Sequence, residues 1–355
     1  MNEAKALIAM SGGVDSSVAA YLSMQEGFTC AGGTMRLYDG EDATCGSSDA
    51  VEDARSVANN LGIPFYVFDN TEDFRHRVIE DFVSAYERGL TPNPCVRCNR
   101  YMKFSRLLEQ ALALGYHYIV TGHYVRIKQD SHTGRYLLYK AADAAKDQSY
   151  FLYALSQEQL SHVRFPLGNL TKEQVRSIAH EKGFINARKR DSQDICFVPD
   201  GDYFAFLQRY MKKTYPAGDF LDLNGKVVGK HVGAVGYTLG QRKGLGLAMG
   251  EPVYVCAKNM DNNTVTIGPN DALFHTALLA NDWFFFPFET LTEPIRVKAK
   301  TRSRMIEQPA TVYPEENGIC RVAFDEPQRA ITPGQAVVLY DGELVVGGGT
   351  ITNVI

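Results

Sequence analysis

The sequence predicts an α/β protein: a doubly wound parallel sheet, then a small central α/β domain, then a C-terminal β-barrel. Three observations carry this. Apolar runs of strand length alternate with helix-patterned segments through the first half; a Ser-Gly-Gly turn separates the first such run from the first helix; and beyond about Tyr215 short strands are separated by Gly-containing turns. With 355 residues the chain exceeds one ordinary core. The expected divisions are 1–205, 206–275 and 276–355.

Ala6–Met10 is a continuous apolar run of the kind found in strands buried on both faces, and a helix from Val14 to about Glu26 follows its Gly turn. A strand over Phe28–Leu37 leads to a helix whose apolar positions, Ala50, Val51, Ala54, Val57, Ala58 and Leu61, recur at helical spacing until Gly62 caps it. Pro64–Phe68 reads as a strand, Glu72–Tyr86 as a helix, Phe104–Leu114 as a helix after a Pro-rich loop, and Tyr118–Thr121 as a strand. In the tail, Asn224-Gly225 and Asp341-Gly342 mark hairpin turns. Strands are expected over Val253–Ala257, Thr264–Ile267, Ile295–Thr301, Ala310–Tyr313, Ile319–Phe324 and Ala336–Leu339. Closure into a barrel would remove their exposed edges.

Composition excludes several classes. At 45% hydrophobic and 22% charged residues the chain has enough apolar material for packed cores, which excludes long disorder. No apolar run reaches the roughly 18–20 residues of a membrane span; the aromatic cluster Trp283–Phe286 is cut by Pro287. The start, MNEAKALIAM, lacks the apolar core and cleavage site of a signal peptide, so a cytoplasmic protein is expected. A net charge of −4 gives no global attraction to nucleic acid, which would have to be held by local basic patches. Seven cysteines, an odd number, argue for reactive or metal-bound thiols over a disulfide framework.

Ser11-Gly12-Gly13-Val14-Asp15-Ser16-Ser17 stands between strand and helix, where backbone N–H groups and the positive end of a helix dipole converge on one spot and two glycines let an anion come close. No Lys follows, so this is not a Walker A loop, and the glycine spacing is not that of a dinucleotide fold. In this position the motif resembles the PP-loop of the N-type ATP pyrophosphatases, which split ATP to AMP and pyrophosphate while activating an oxygen as its adenylate. That resemblance implies ATP as ligand, with Asp15 an indirect holder of Mg²⁺.

Thr91-Pro92-Asn93-Pro94-Cys95-Val96-Arg97-Cys98-Asn99-Arg100 holds the densest chemistry. Cys98 is expected just before a helix whose dipole favours thiolate, with Arg97, Arg100, Lys103 and Arg106 nearby. A lone C-x-x-C reads as a redox pair or half a zinc site, and no second close pair completes the latter. Cys196, in Asp191-Ser192-Gln193-Asp194-Ile195-Cys196-Phe197, follows the basic run 188–190. Lys298, Lys300, Arg302 and Arg304 alternate, which would place them on one face of a barrel strand, a candidate RNA surface. Cys30, Cys45, Cys256 and Cys320 have no motif context and read as packing or surface thiols.

SGGVDSS, TPNPCVRCNR, TGHY (121–124), KDQSY (146–150), DSQDICF and GYTLGQRKGLG (236–246) occur in the order in which the tRNA-specific 2-thiouridylases carry them, and the likeness runs from residue 6 to the C-terminus. Membership would imply ATP-dependent exchange of O2 for sulfur in the wobble uridine of tRNA. By resemblance, Ala9, Met10, Ser11, Gly12, Gly13, Val14, Asp15 and Ser16 hold the ATP phosphates, Met35 contacts adenine and Gly122 closes over the nucleotide. Asn93, Pro94 and position 95 would line the extruded base. His123, Lys146, Asp147, Gln148, Arg302, Ser303 and Gln335 would touch tRNA. Cys196 would carry a persulfide received from a sulfur-donor protein, and Cys98 would be the second thiol. The family more often has Asp where this chain has Cys95, so the acid/base role given to that carboxylate does not transfer. Cys95, Cys98 and Cys196 offer an alternative: three ligands of a [4Fe–4S] cluster with one iron open to sulfide. The other readings are a PP-loop synthetase acting on a small molecule, which leaves the cysteines without a role, and an RNA-binding module without turnover.

Overall fold

The computed structural model describes residues 4–38, 46–189 and 195–355. Cys45, Arg190 and the first four residues of DSQDICF lie outside the described residues. The first sheet is built from β1 (Lys5–Ala9), α1 (Val14–Gln25), β2 (Thr29–Arg36), α2 (Ser48–Leu61) and β3 (Phe65–Asp69). A helical run follows: α3 (Thr71–Phe74), a π-helical stretch Arg75–Ile79, and α4 (Glu80–Glu87). A second comprises α5 (Pro94–Arg97), a π-helical stretch Cys98–Arg106, and α6 (Leu107–Ala113). Next come β4 (Tyr118–Val120), the hairpin β5 (Val125–Gln129) and β6 (Tyr136–Lys140), α7 (Gln157–Ser161), β7 (Val163–Arg164), α8 (Lys172–Glu181) and α9 (Tyr203–Met211).

The sheet order is β3-β2-β1-β4-β7, with every pairing parallel. β1 is buried on both faces: Leu7 joins one core cluster, Ala6 and Ile8 the other. That explains its unbroken apolar sequence. The chain leaves β1 toward β2 on one side and β4 on the other, and the crevice at their carboxyl ends is the place where such sheets take ligands.

The helix expected from Phe104 begins ten residues earlier, at Pro94. Asn93 caps it, its side chain accepting from Val96 N at 3.4 Å, and Pro94 takes the first helical position, where its missing N–H costs nothing. Cys95 therefore sits in the first turn and Cys98 a turn further in, not ahead of the helix.

The central sheet joins β8 (Gly218–Leu221), β9 (Val227–His231), β10 (Tyr254–Asn259) and β11 (Thr264–Gly268) in the order β10-β11-β8-β9, around Phe220, Val255 and Val265. The barrel comprises β12 (Phe274–Phe285), β13 (Ile295–Lys300), β14 (Gln308–Pro314), β15 (Cys320–Arg329), β16 (Ala336–Asp341) and β17 (Leu344–Val354). They run β12-β15-β14-β13-β16-β17, and β12 pairs β17 to close the ring. The long β12 and β17 break register twice, which lets them bend around the corner. The β5–β6 hairpin, an element the sequence pattern left unassigned, extends this sheet through Leu344 opposite Tyr139. β13 ends at Lys300 and the chain then turns, so Arg302 and Arg304 do not continue the alternation of Lys298 and Lys300. Among the described residues no helix is long and apolar enough to cross a membrane.

Candidate active site

The Ser-Gly-Gly turn after β1 is held tightly. Gly12 has φ +70°, and a Cβ there would stand 2.5 Å from Ala50 O, so both conformation and space require glycine. Gly13 O accepts from Ser16 Oγ at 3.0 Å and Ser17 Oγ at 3.1 Å, while Ser11 N donates to Ser16 Oγ at 3.3 Å. Gly122, beyond β4, lies so near that a Cβ would be 2.8 Å from Ser16 N. Asp15 receives Lys172 Nζ at 2.8 Å on each oxygen and the Tyr124 hydroxyl at 2.7 Å.

A cavity of about 920 Å³ opens at the crevice. Ala9, Met10, Ser11, Gly13, Val14, Asp15, Ser16, Met35 and Gly122 line it, joined by His123, Lys146, Asp147, Gln148 and Ser303. The structure thus brings the phosphate loop, the 121–124 and 146–148 segments and a barrel loop to one chamber. Gly12 lies behind the wall. Lys103, Lys189, Lys300 and Arg304 also face the chamber, so its described charges are the five cations Lys103, Lys146, Lys189, Lys300 and Arg304 against Asp15 and Asp147. A polyanion of nucleotide size fits that volume and that sign.

Several lining side chains already have work. Asp147 accepts from Ala141 N at 3.0 Å and from Ser149 Oγ at 2.7 Å, and Gln148 Oε1 accepts from Tyr124 N at 2.9 Å, so both shape their loop. The His123 ring packs near Phe104 and Phe165, with Nδ1 2.7 Å from Thr121 Oγ1. Burial, reinforced by Lys103, holds its pKa well below the usual imidazole range, so the ring is neutral near pH 7.

The thiols stand outside this lining. Cys95 is exposed, Cys98 buried and Cys196 half-buried. Cys98 belongs to the same apolar cluster against which Cys196 packs, and Phe197 anchors the latter 5.8 Å from Phe74 and 5.2 Å from both Phe82 and Phe206. Among the described residues no three His, Cys, Asp or Glu side chains are grouped to hold a metal ion, so Cys95, Cys98 and Cys196 do not form a three-thiolate cradle. The loop 91–94 is fastened from the barrel: Thr91 N donates to Pro333 O at 3.0 Å, and Gln335 Nε2 donates to Thr91 O at 2.9 Å and Pro92 O at 3.2 Å. Arg97 pairs with Asp81 at 2.6 Å, Arg100 with Asp282 at 2.5 Å and Arg106 with Asp73 at 2.9 Å, so these cations beside the thiols are neutralised. Arg302 donates to Ala330 O at 2.6 Å and Thr332 Oγ1 at 3.0 Å and ties barrel loops together.

Sequence reasoning missed Lys172 and Tyr124. Lys172 follows a helix cap 157 positions from Asp15, and no local pattern announces the pairing. The Asn-Pro dipeptide at 93–94, by contrast, is a helix-start signal that was present in the sequence.

Residues 4–200 match the family described as tRNA methyl transferase HUP domain, 204–269 the tRNA methyl transferase PRC-barrel domain, and 275–351 the aminomethyltransferase beta-barrel domain. The tRNA-specific 2-thiouridylase of Acetivibrio thermocellus is 49% identical over 358 residues, covering 99% of this chain and 100% of its own. That of Clostridioides difficile is 48% identical over 352 residues, 98% of each chain. A solved 4-thiouridine synthetase–RNA complex with bound ATP is 17% identical at a TM-score of 0.36, covering 58% of this chain and 50% of that one.

Proposed function

The chain belongs to the tRNA-specific 2-thiouridylase family, and from that premise we propose that it replaces O2 of the wobble uridine of tRNA by sulfur in an ATP-dependent reaction. The observation that carries this is the cationic chamber in which the phosphate loop, the 121–124 and 146–148 segments and the barrel loop meet.

A carbonyl oxygen leaves poorly, so O2 first attacks the α-phosphorus of ATP and pyrophosphate departs. The loop N–H groups and the surrounding lysines stabilise that departing charge. Mg²⁺, when bound, would neutralise phosphate charge. Asp15 is the carboxylate at hand, and since Lys172 and Tyr124 already engage it, it suits contact through water. The terminal sulfur of a Cys196 persulfide then attacks C2 and AMP leaves. Cys98 thiolate attacks Cys196 Sγ, the S–S bond breaks, sulfur stays on C2, and a Cys98–Cys196 disulfide forms that an external thiol reduces before the next cycle. Half-burial of Cys196 suits loading by a sulfur-donor protein. The arrangement of the described thiols gives the cluster alternative no support.

For tRNA, Lys146 and Ser303 at the chamber and Asn93, Pro94 and Cys95 near the extruded base are the proposed contacts, with neutral His123 between Phe104 and Phe165. Asp147, Gln148, Arg302 and Gln335 act through the loops they hold. In this reading residues 1–205 bind ATP and carry the thiols, 206–275 connect, and 276–355 meet tRNA, in the cytoplasm. The test is nucleoside mass spectrometry of unmodified tRNA incubated with the protein, ATP, Mg²⁺ and a persulfide source. 2-Thiouridine that requires ATP and disappears with Cys196→Ser is expected; AMP release and 2-thiouridine both absent would overturn the assignment.

A further inference from the structure

Asn186 is 3% exposed and reaches the phosphate loop from the segment that follows α8. Its Nδ2 donates to Gly12 O at 3.2 Å and Ser17 Oγ at 2.9 Å. Gly12 O can only accept, so the NH₂ end must face it; turning the amide over would set two acceptors together. Oδ1 is buried without a hydrogen-bond partner. A residue chosen merely to fill space would not leave a buried acceptor orphaned, so the donor end is what this position requires.

We propose that Asn186 is a positioning residue of the phosphate loop, fixing the Gly12–Gly13 peptide so that the Gly13 N–H faces the chamber. The peptide is trans, so its C=O and N–H point opposite ways. Drawing Gly12 O inward presents Gly13 N–H outward, in keeping with Gly13 lining the chamber while Gly12 does not. The next carbonyl, Gly13 O, is turned away by Ser16 and Ser17. Glycine on both sides makes this the peptide most free to flip, because neither residue carries a Cβ to resist a change of ψ at 12 and φ at 13. Flipped, it would aim a carbonyl oxygen at the anion. The arm that delivers Asn186 is itself braced: Arg176 Nη1 donates to Ala187 O at 3.0 Å and Lys189 O at 3.3 Å, and Lys189 pairs with Asp53 at 2.7 Å.

This rests on the reading that the loop holds ATP phosphates, and the test separates the two. Full-length wild type, Asn186→Ala and Asn186→Asp are titrated calorimetrically with inorganic pyrophosphate, ATP and adenosine. In Asn186→Ala the pyrophosphate Kd rises roughly 10- to 100-fold, the span of one charge-assisted hydrogen bond, while the adenosine Kd stays within about twofold. Asn186→Asp keeps the shape and loses the donor, so it serves if the alanine variant does not fold, and its pyrophosphate affinity falls at least as far. Pyrophosphate binding unchanged in a folded variant, or equal losses for pyrophosphate and adenosine, would overturn the positioning role alone. Wild type binding neither ATP nor pyrophosphate would overturn the nucleotide reading and this inference with it.

Discussion

Asp15 and Lys172 show how one pair can decide a site. The carboxylate faces the chamber, where its charge would repel the proposed nucleotide, and Lys172 cancels it with two contacts from a side chain only 11% exposed. In Lys172→Met the uncompensated carboxylate should raise the ATP KM about tenfold or more, and stability should fall by about 3 kcal/mol, the lower end for breaking a partly buried pair. Steady-state kinetics and urea denaturation check the two effects, and adding Asp15→Asn should restore stability but not turnover. His123 makes a pH prediction. Its folded pKa lies well below the unfolded value of 6.5, burial being the main cause. Above that value both states are neutral; below it the unfolded chain takes up a proton that the folded ring refuses. Stability is therefore retained above about pH 6.5 and falls by up to ~1.4 kcal/mol per pH unit below it. Comparing denaturation at acidic and neutral pH, His123→Gln should show a shallower loss than wild type.

At the scale of elements, the cysteine helix is placed from both ends of the chain. Asn93 and Pro94 start it locally, but the turn at 333–335, between β15 and β16, fastens the loop in front of it. Even the space is shared, since a Cβ on Gly334 would lie 2.9 Å from Thr91 N. Gln335→Ala should cost about 1–2 kcal/mol for two lost hydrogen bonds. The ATP KM should hold while thiolation per AMP released declines, read by denaturation and by nucleoside analysis beside AMP quantification. A fall in ATP affinity of the same size would instead place Gln335 in the nucleotide site. The basic stripe teaches the converse lesson. Alternation of Lys and Arg through 298–304 fits a strand, yet hydrogen-bonded pairing stops at Lys300, and the two arginines serve different ends: Arg302 ties loops and Arg304 faces the chamber.

Across the whole molecule, a net charge of −4 leaves tRNA attraction to local fields. Many cations named in the sequence are engaged with carboxylates, as Arg97, Arg100 and Arg106 are, and Arg100 also lies 4.5 Å over Phe284 and so ties the thiol helix to the barrel. The chamber gathers Lys103, Lys146, Lys189, Lys300 and Arg304, of which Lys189 pairs with Asp53 at 2.7 Å and Lys300 lies 3.6 Å from Glu307. If Arg304 meets an RNA phosphate, Arg304→Ala should lower the log–log salt slope of tRNA binding by about one. Filter binding across a salt series measures it, and an unchanged slope would confine Arg304 to the nucleotide.

By itself the sequence determined the parallel sheet and the place of the Ser-Gly-Gly turn after its first strand, because buried strands must be apolar throughout and a tight turn needs glycine. It also determined barrel-type strands in the tail, since turn residues and apolar alternation are local. What tertiary structure alone decided is who meets whom: Lys172 with Asp15, Asn186 with Gly12, Gln335 with Thr91, and the barrel loop with the phosphate loop. Those pairings join residues more than 150 positions apart, and they follow from how packed layers bring chain segments together in space, which leaves no mark on the spacing of neighbours along the chain.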